Sequence, residues 1–269
     1  KQKTAYEIGV RLVGSEMCIR DRFEIAINPD FSQIESDDIR NDINSVNALY
    51  FPERRPFFSE GSELFKFQSE RGFINLFYSR TINDPSIIGK YTGKIGKTSY
   101  GVISARDDSS LLLLPFEENS TIVSMGEATN HVFRLKQMLK NGSSVGAFIS
   151  NRNFDIGGDM TTSGIDLHYH PGYNIHLTVH AALSVHNESN NLEYSPEDEE
   201  DQSFDDGRHT KAFDGEEING SALGIGISQW TRTDSRGIVA RFRSPGFRTS
   251  NGFEQNNNCL LYTSAAADE

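Results

Sequence analysis

From Tyr173 to Val185 the chain alternates without a break. Tyr173, Ile175, Leu177, Val179, Ala181, Leu183 and Val185 are apolar, whereas Asn174, His176, Thr178, His180, Ser184 and His186 between and after them are polar, Ala182 being the exception. A period of two sends the two sets to opposite faces of a strand. Thirteen such positions exceed the usual soluble strand and suffice for a tilted bilayer crossing, which takes about 9 to 11 residues.

Neighbouring segments repeat the pattern less regularly. Ile165, Leu167 and Tyr169 alternate with Asp166, His168 and His170 ahead of a Pro171-Gly172 turn, and Phe133, Leu135 and Leu139 share a face with Val145, Ala147 and Ile149 across Asn141-Gly142. Leu223, Ile225 and Ile227 alternate with Gly224, Gly226 and Ser228 up to Trp230. A turn at Asp234 to Gly237 then precedes a strand over Ile238 to Arg243. Ile87 to Ile95 and Tyr100 to Arg106 flank a Gly96-Lys97 turn, and Phe73 to Arg80 is expected to open the sheet. The reading is an all-β chain of about eight or nine strands in an antiparallel up-and-down meander, part of an outer-membrane β-barrel, with a short irregular or helical N-terminal segment. The tight turns would lie on one rim and the long polar connections, Asp107 to Asn130 and Asn187 to Glu217, on the other, as in outer-membrane barrels. A soluble antiparallel sheet with one solvated face predicts the same alternation.

The two ends read differently from the rest. KQKTAYEIGVRLVGSEMCIRDR (residues 1–22) and CLLYTSAAADE (259–269) look like translated sequencing-adaptor strings from assembled metagenomic reads, and are set aside from fold reasoning. Residues 23–72 are then an entry or plug-like segment, with one helix expected over Ser36 to Tyr50, and residues 73–258 a partial barrel from a longer gene. Both cysteines, Cys18 and Cys259, fall in the ends, so no disulfide, zinc-thiolate or cysteine-nucleophile argument applies. The chain carries 26 Lys+Arg against 38 Asp+Glu, a net charge of -12 that excludes nucleic-acid binding driven by net basic charge, and its longest apolar runs exclude a spanning helix.

Catalytic motifs are absent: no G-x-S-x-G, H-E-x-x-H, Walker A or C-x-x-C occurs, and no cofactor is implied. His168, His176, Thr178 and His180 are the candidate lumen-lining or ligand residues. Hairpin parity gives an even register, and a three-residue loop would set His168 beside His176; two imidazoles with Asp166 make a weak case for a metal, and none is assigned. The acidic run Glu197 to Asp201 with Asp205 and Asp206 lacks the order of a calcium loop and reads as solvated surface. PERRPFF, with Glu53, Arg54 and Arg55 between prolines and Phe57-Phe58, reads as a rigid turn anchored by its phenylalanines, or as a ligand-gripping, plug-like element.

NPDFSQIE (Asn28, Pro29, Asp30 and Phe31 leading to Glu35), FPERRPFFSEGSELF (Phe51 to Phe65, with Pro52, Glu53, Arg55, Pro56, Phe57, Phe58, Glu60 and Gly61), FYSR, RLKQMLKNGSSVGAFISNRN and SPGFRTSNGF resemble a bacterial family of unknown function. Its members carry a C-terminal outer-membrane barrel, usually after a carbohydrate-binding module of the family 9 type, and are often labelled membrane-associated hydrolases. The resemblance supplies no catalytic residues, and the family's last motif tends to read Asn-Asp-Leu-Gly where this chain has Thr249-Ser250-Asn251-Gly252. It implies an outer-membrane anchor or conduit for glycan-derived material, with outer-membrane lipid as partner, any carbohydrate ligand taken through an upstream domain, and no nucleic acid. A hydrolase using Glu53, Glu60 or Asp30, and a soluble β-sheet binding domain, are the alternatives.

Overall fold

The computed structural model describes residues 13–17, 21–29, 50–66, 74–117, 119–172, 174–195, 202–232, 234–254, 256–257 and 259–268. The helix expected over residues 36–50, the motif residues Asp30 and Phe31, Phe73, Tyr173 and the run 197–201 lie outside them, save Tyr50, which is in no helix.

An 11-stranded antiparallel sheet dominates. It comprises β1 (Val13–Met17), β2 (Asp21–Ile27), β3 (Pro85–Ile95), β4 (Thr98–Asp107), β7 (Ala128–Met138), β8 (Ser144–Phe154), β9 (Asp159–Gly172), β10 (Ile175–Asn187), β13 (Glu217–Trp230), β14 (Asp234–Arg243) and β15 (Cys259–Asp268), in that order. The two omitted pairs, β5 (Leu111–Pro115) with β6 (Ser120–Ser124) and β11 (Ser203–Phe204) with β12 (His209–Thr210), are separate hairpins. Nine strands of the large sheet, β2 to β14, form the up-and-down meander; β1 and β15 pair onto its two edges.

The long connections keep to one rim. The β3–β4, β7–β8, β9–β10 and β13–β14 turns are short and share the turn rim, with Asn141 and Gly142 both in the left-handed conformation (φ 55 and 74) that their sequence announces. The long β4–β7 and β10–β13 connections share the opposite loop rim, each folding back as one of the small hairpins, and the short β8–β9 turn (residues 155–158) lies between them.

Two parts of the chain cover one face of this sheet and make it the inner face. The first runs through α1 (Pro56–Ser59), α2 (Ser62–Phe65) and residues 74–82; the second is the stretch 244–257 after β14. Phe57, Phe58, Phe65, Ile74, Leu76, Ile82 and Phe247 pack with the wall residues Ala26, Ile88, Ile103, Ala105, Val132, Phe148, Ala182, Ala222 and Val239 in one buried cluster. A second cluster, built on Leu112, Leu114, Phe116, Phe204 and Phe213, closes the loop rim.

Two expectations are corrected here. Residues 74–78 do not open the sheet: their alternation buries Ile74 and Leu76 inside, and their backbone pairs with the second covering part, Tyr78 N donating to Asn251 O (2.6 Å) and Phe253 N to Asn75 O (2.9 Å). Asp21–Ile27, whose first two residues fall in the adaptor-like end set aside from fold reasoning and whose remainder falls in the expected entry segment, is a wall strand paired with β3 from Asp21↔Gly93 to Ile27↔Ile87. The signal was present, since Glu24 and Ala26 are buried while Phe23 and Ile27 are exposed, the same period of two in a shorter run.

Candidate functional site: the inner face and its anchors

The PERRPFF turn is held from within. Arg55, fully buried, donates to Glu53 from Nε (3.0 Å) and Nη2 (2.8 Å), to Ser79 O (2.8 Å) and to Ile82 O (2.8 Å), while its guanidinium lies 4.2 Å from the centre of the Phe58 ring. Burial pushes the Glu53 carboxyl up, but the hydrogen bonds and charge of Arg55, with the Ser79 hydroxyl, outweigh it and hold Glu53 below its ordinary range. Both oxygens of Glu53 are therefore committed to shaping this turn. Glu60 is exposed and pairs with Arg22, and Pro52, Pro56 and Gly61 set the path around the two phenylalanines, Gly61 at φ 65. Asn28, at φ 43, donates its N–H to Ser86 O (2.8 Å) at the end of β2, and Pro29 after it is buried.

Wall cations grip the covering segments by their backbone carbonyls. Lys90 Nζ donates to Phe57 O and Glu60 O (2.8 Å) and sits 3.2 Å from Glu24; Arg134 Nε donates to Leu64 O (3.1 Å). Arg152 donates to Asn130 Oδ1 (2.8 Å), Leu111 O (2.7 Å), Thr81 O (3.3 Å) and Asn251 Oδ1 (2.6 Å). In the opposite sense, Arg248 of the second covering part reaches back to Glu188 (2.7 Å) and His186 Nδ1 (3.0 Å). Burial pushes the Glu188 carboxyl up to about 7, against the lowering influence of Arg248.

Two glycines exist for close approach. A Cβ on Gly220 would collide with the backbone of Phe247 and Gly246, so the second covering part lies directly on β13. A Cβ on Gly146 would strike both Arg134 and Asp166, which pair across β8 from β7 and β9; glycine leaves the gap through which that ion pair reaches.

His168, Thr178 and His180 share the inner face of the β9–β10 hairpin, in a register that differs from the expected one. His168 stands opposite Thr178, not His176, and Asp166 opposite His180. The parity is even, as the alternation required, but a bulge between Ile175 and Leu177 sets His170 and Pro171 against the single residue His176. Proline has no N–H for the ladder, which favours the irregularity there. His180 is buried, with its ring 5.6 Å from that of His168; His176 lies at the turn rim, 4.4 Å from the His170 ring and 5.3 Å from that of Trp230. Asp166 carries the ion pair to Arg134, and His168 Nε2 is 3.9 Å from its other oxygen. Among the described residues no group of three or more His, Cys, Asp or Glu could hold a metal ion. Asp205 and Asp206, both at positive φ, form the tight turn between β11 and β12, where Arg208 pairs with Asp205 at 2.7 Å.

The outer face is apolar and uncovered. Cross-strand neighbours such as Val102, Phe133 and Ile149, or Leu177, Ile227 and Ile238, make rows that run from strand to strand. Ile149 is 51% exposed, Ile165 59%, Leu183 62% and Ile238 65%. Tyr91 and Tyr100, with rings 5.8 Å apart, and the exposed Tyr169 stand near the turn-rim edge of this belt. Along β10 the belt runs from Leu177 to Val185, about 26 Å at roughly 3.3 Å per residue. Among the described residues no helix is long and apolar enough to cross a membrane, which bears on helices alone.

Residues 19–109 match the model of a family described as "Domain of unknown function (DUF5916)". The matched stretch holds β2, the PERRPFF turn, β3 and β4, so it spans the junction of wall and inner segment. Among curated proteins and among solved structures, nothing matches the chain.

Proposed function

We propose that this chain forms wall and internal plug of a bacterial outer-membrane β-barrel that serves as anchor or conduit for glycan-derived material, with sugar capture left to a separate domain. The observation that carries the membrane part is the outer belt: large aliphatic and aromatic side chains stand exposed on strand after strand, while the opposite face buries Arg55, Arg134, Arg152, Lys90 and Arg248. Water-soluble monomers rarely leave so continuous an apolar surface bare, whereas a barrel in lipid requires it, together with aromatic side chains at its margins and a polar interior. The confinement of the long connections to one rim, with short turns alone at the other, supports the same reading. The glycan part rests on the family resemblance.

A hydrolytic role for Glu53 or Glu60 is disfavoured by their settings: the first is locked by Arg55 and Ser79, the second faces solvent beside Arg22. The test is expression of the complete gene with an export signal, followed by membrane fractionation and gel migration with and without heating. The reading predicts outer-membrane recovery and heat-modifiable mobility. A soluble product whose mobility is unaffected by heat overturns it in favour of a soluble binding domain.

A further inference from the structure

The bulge that shifts the β9–β10 register brings His170, not His168, against His176. Their rings stand 4.4 Å apart, centre to centre, with planes inclined by 74°, at the turn-rim end of the hairpin. Both side chains are half-buried, so a solute reaches them from the rim.

The surrounding turns hold the pair in place. His170 donates its backbone N–H to Ser143 Oγ (2.9 Å), just past the β7–β8 turn. Gly142 of that turn lies against the same imidazole: a Cβ there would come within 3.5 Å of His170 Nδ1. His176 is backed by Trp230, with ring centres 5.3 Å apart, and Trp230 N donates to Asn174 O (3.1 Å) in the β9–β10 turn. Two imidazoles are thus fixed side by side by three different turns or strands, rather than left on a free loop.

The spacing suits a shared ion. Imidazole nitrogens bind zinc at about 2.0 to 2.1 Å, and two such rings on one ion, at right-angled or tetrahedral directions, have centres roughly 4.5 to 5 Å apart. The observed 4.4 Å needs only a slight opening of the pair. His168, the next inner-face residue along β9, is turned elsewhere: its Nε2 is 3.9 Å from Asp166, which is paired with Arg134. Among the described residues no third His, Cys, Asp or Glu completes the set, so water would supply the remaining ligands. Nitrogen ligands without a carboxylate select late transition metals over magnesium and calcium, which take oxygen. Lys140 on the β7–β8 turn is exposed, where water weakens its repulsion of a cation.

We infer that His170 and His176 form a binding site for a late divalent transition-metal ion, Cu2+, Ni2+ or Zn2+, at the turn-rim end of the inner face. The site is independent of the membrane and glycan readings above.

The test uses the full chain carrying Cys18→Ser and Cys259→Ser, so that thiols take no metal, purified in detergent micelles. It is titrated with Cu2+, Ni2+, Zn2+ and Mg2+ by calorimetry and by the emission of Trp230, the sole tryptophan. The expected result is one Cu2+ per chain at saturation, at least tenfold tighter than Zn2+, with Trp230 emission quenched over the same range and no response to Mg2+. His170→Ala and His176→Ala should each weaken Cu2+ binding tenfold or more, while His131→Ala on the outer face and His209→Ala at the loop rim leave it unchanged. His170→Ala does not touch Trp230's own neighbour, so its effect on quenching reports the ion and not a disturbed indole. Absence of saturable Cu2+ binding, or Cu2+ affinity unchanged by His170→Ala and His176→Ala in protein of unaltered circular dichroism, overturns the inference, as does Mg2+ binding as tightly as Zn2+.

Discussion

At the scale of single residues, the account rests on side chains whose surroundings exclude substitutes. Gly220 is one: the backbone of Phe247 occupies the space of its missing side chain. Gly220→Ala is predicted to cost about 1 to 3 kcal/mol in urea unfolding of the micelle-held protein, because backbone, unlike a flexible side-chain end, cannot step aside. Glu188 is another. With its native carboxyl near 7 and its ordinary value at 4.5, the folded protein takes up a proton in a window where the unfolded chain does not. Its contribution is fully present below about pH 4.5 and lost as pH rises through about 7. Relative to Glu188→Gln, the wild type should therefore lose on the order of 1 to 3 kcal/mol between pH 5 and 8, read from paired denaturation curves; parallel pH profiles would refute the assignment. Little of this was legible beforehand. Arg248 and Glu188 are 60 positions apart and Arg134 and Asp166 are 32 apart, and no local spacing announces either pair.

At the scale of elements, the period-two pattern carried far. It located the hairpins around Gly96-Lys97 and Asn141-Gly142 and the long strands β10 and β13, because in each the apolar set occupies one face for most of the strand. It failed where alternation has another cause. Residues 74–78 alternate because they pass between wall and second covering part, not because they pair in the sheet. Register also escaped it: parity follows from which face is apolar, but the two-residue offset that separates His168 from His176 is decided by the bulge at His170 and Pro171. The β10 strand gives the sharpest test of face assignment. Leu183→Arg, on the outer face at 62% exposure, is predicted to reduce folding stability in bilayers by about 2 to 4 kcal/mol. In a soluble domain the same change would stay within about 0.5 kcal/mol, so urea titration in vesicles distinguishes the two.

At the scale of the whole molecule, three distributions must be explained together: an apolar belt outside, charged anchors inside, and opposite rims of unlike length and charge. The loop rim carries Asp84, Asp108, Glu127, Asp155, Glu216 and Glu217 with Arg106 among them, whereas the turn rim carries Lys94, Lys97, Lys140, Arg232 and Arg236 with Asp21 and Asp234 among them. A sheet that stands across a lipid layer, with its interior filled by its own chain, accounts for all three. The most direct measurement is spin-label accessibility along β10 in vesicles, with Cys18 and Cys259 replaced and single cysteines placed at residues 179 to 185. The account predicts that odd positions collide with dissolved oxygen and are shielded from a water-soluble nickel chelate, while even positions are shielded from both. Free access of the chelate to positions 181 and 183 would contradict it.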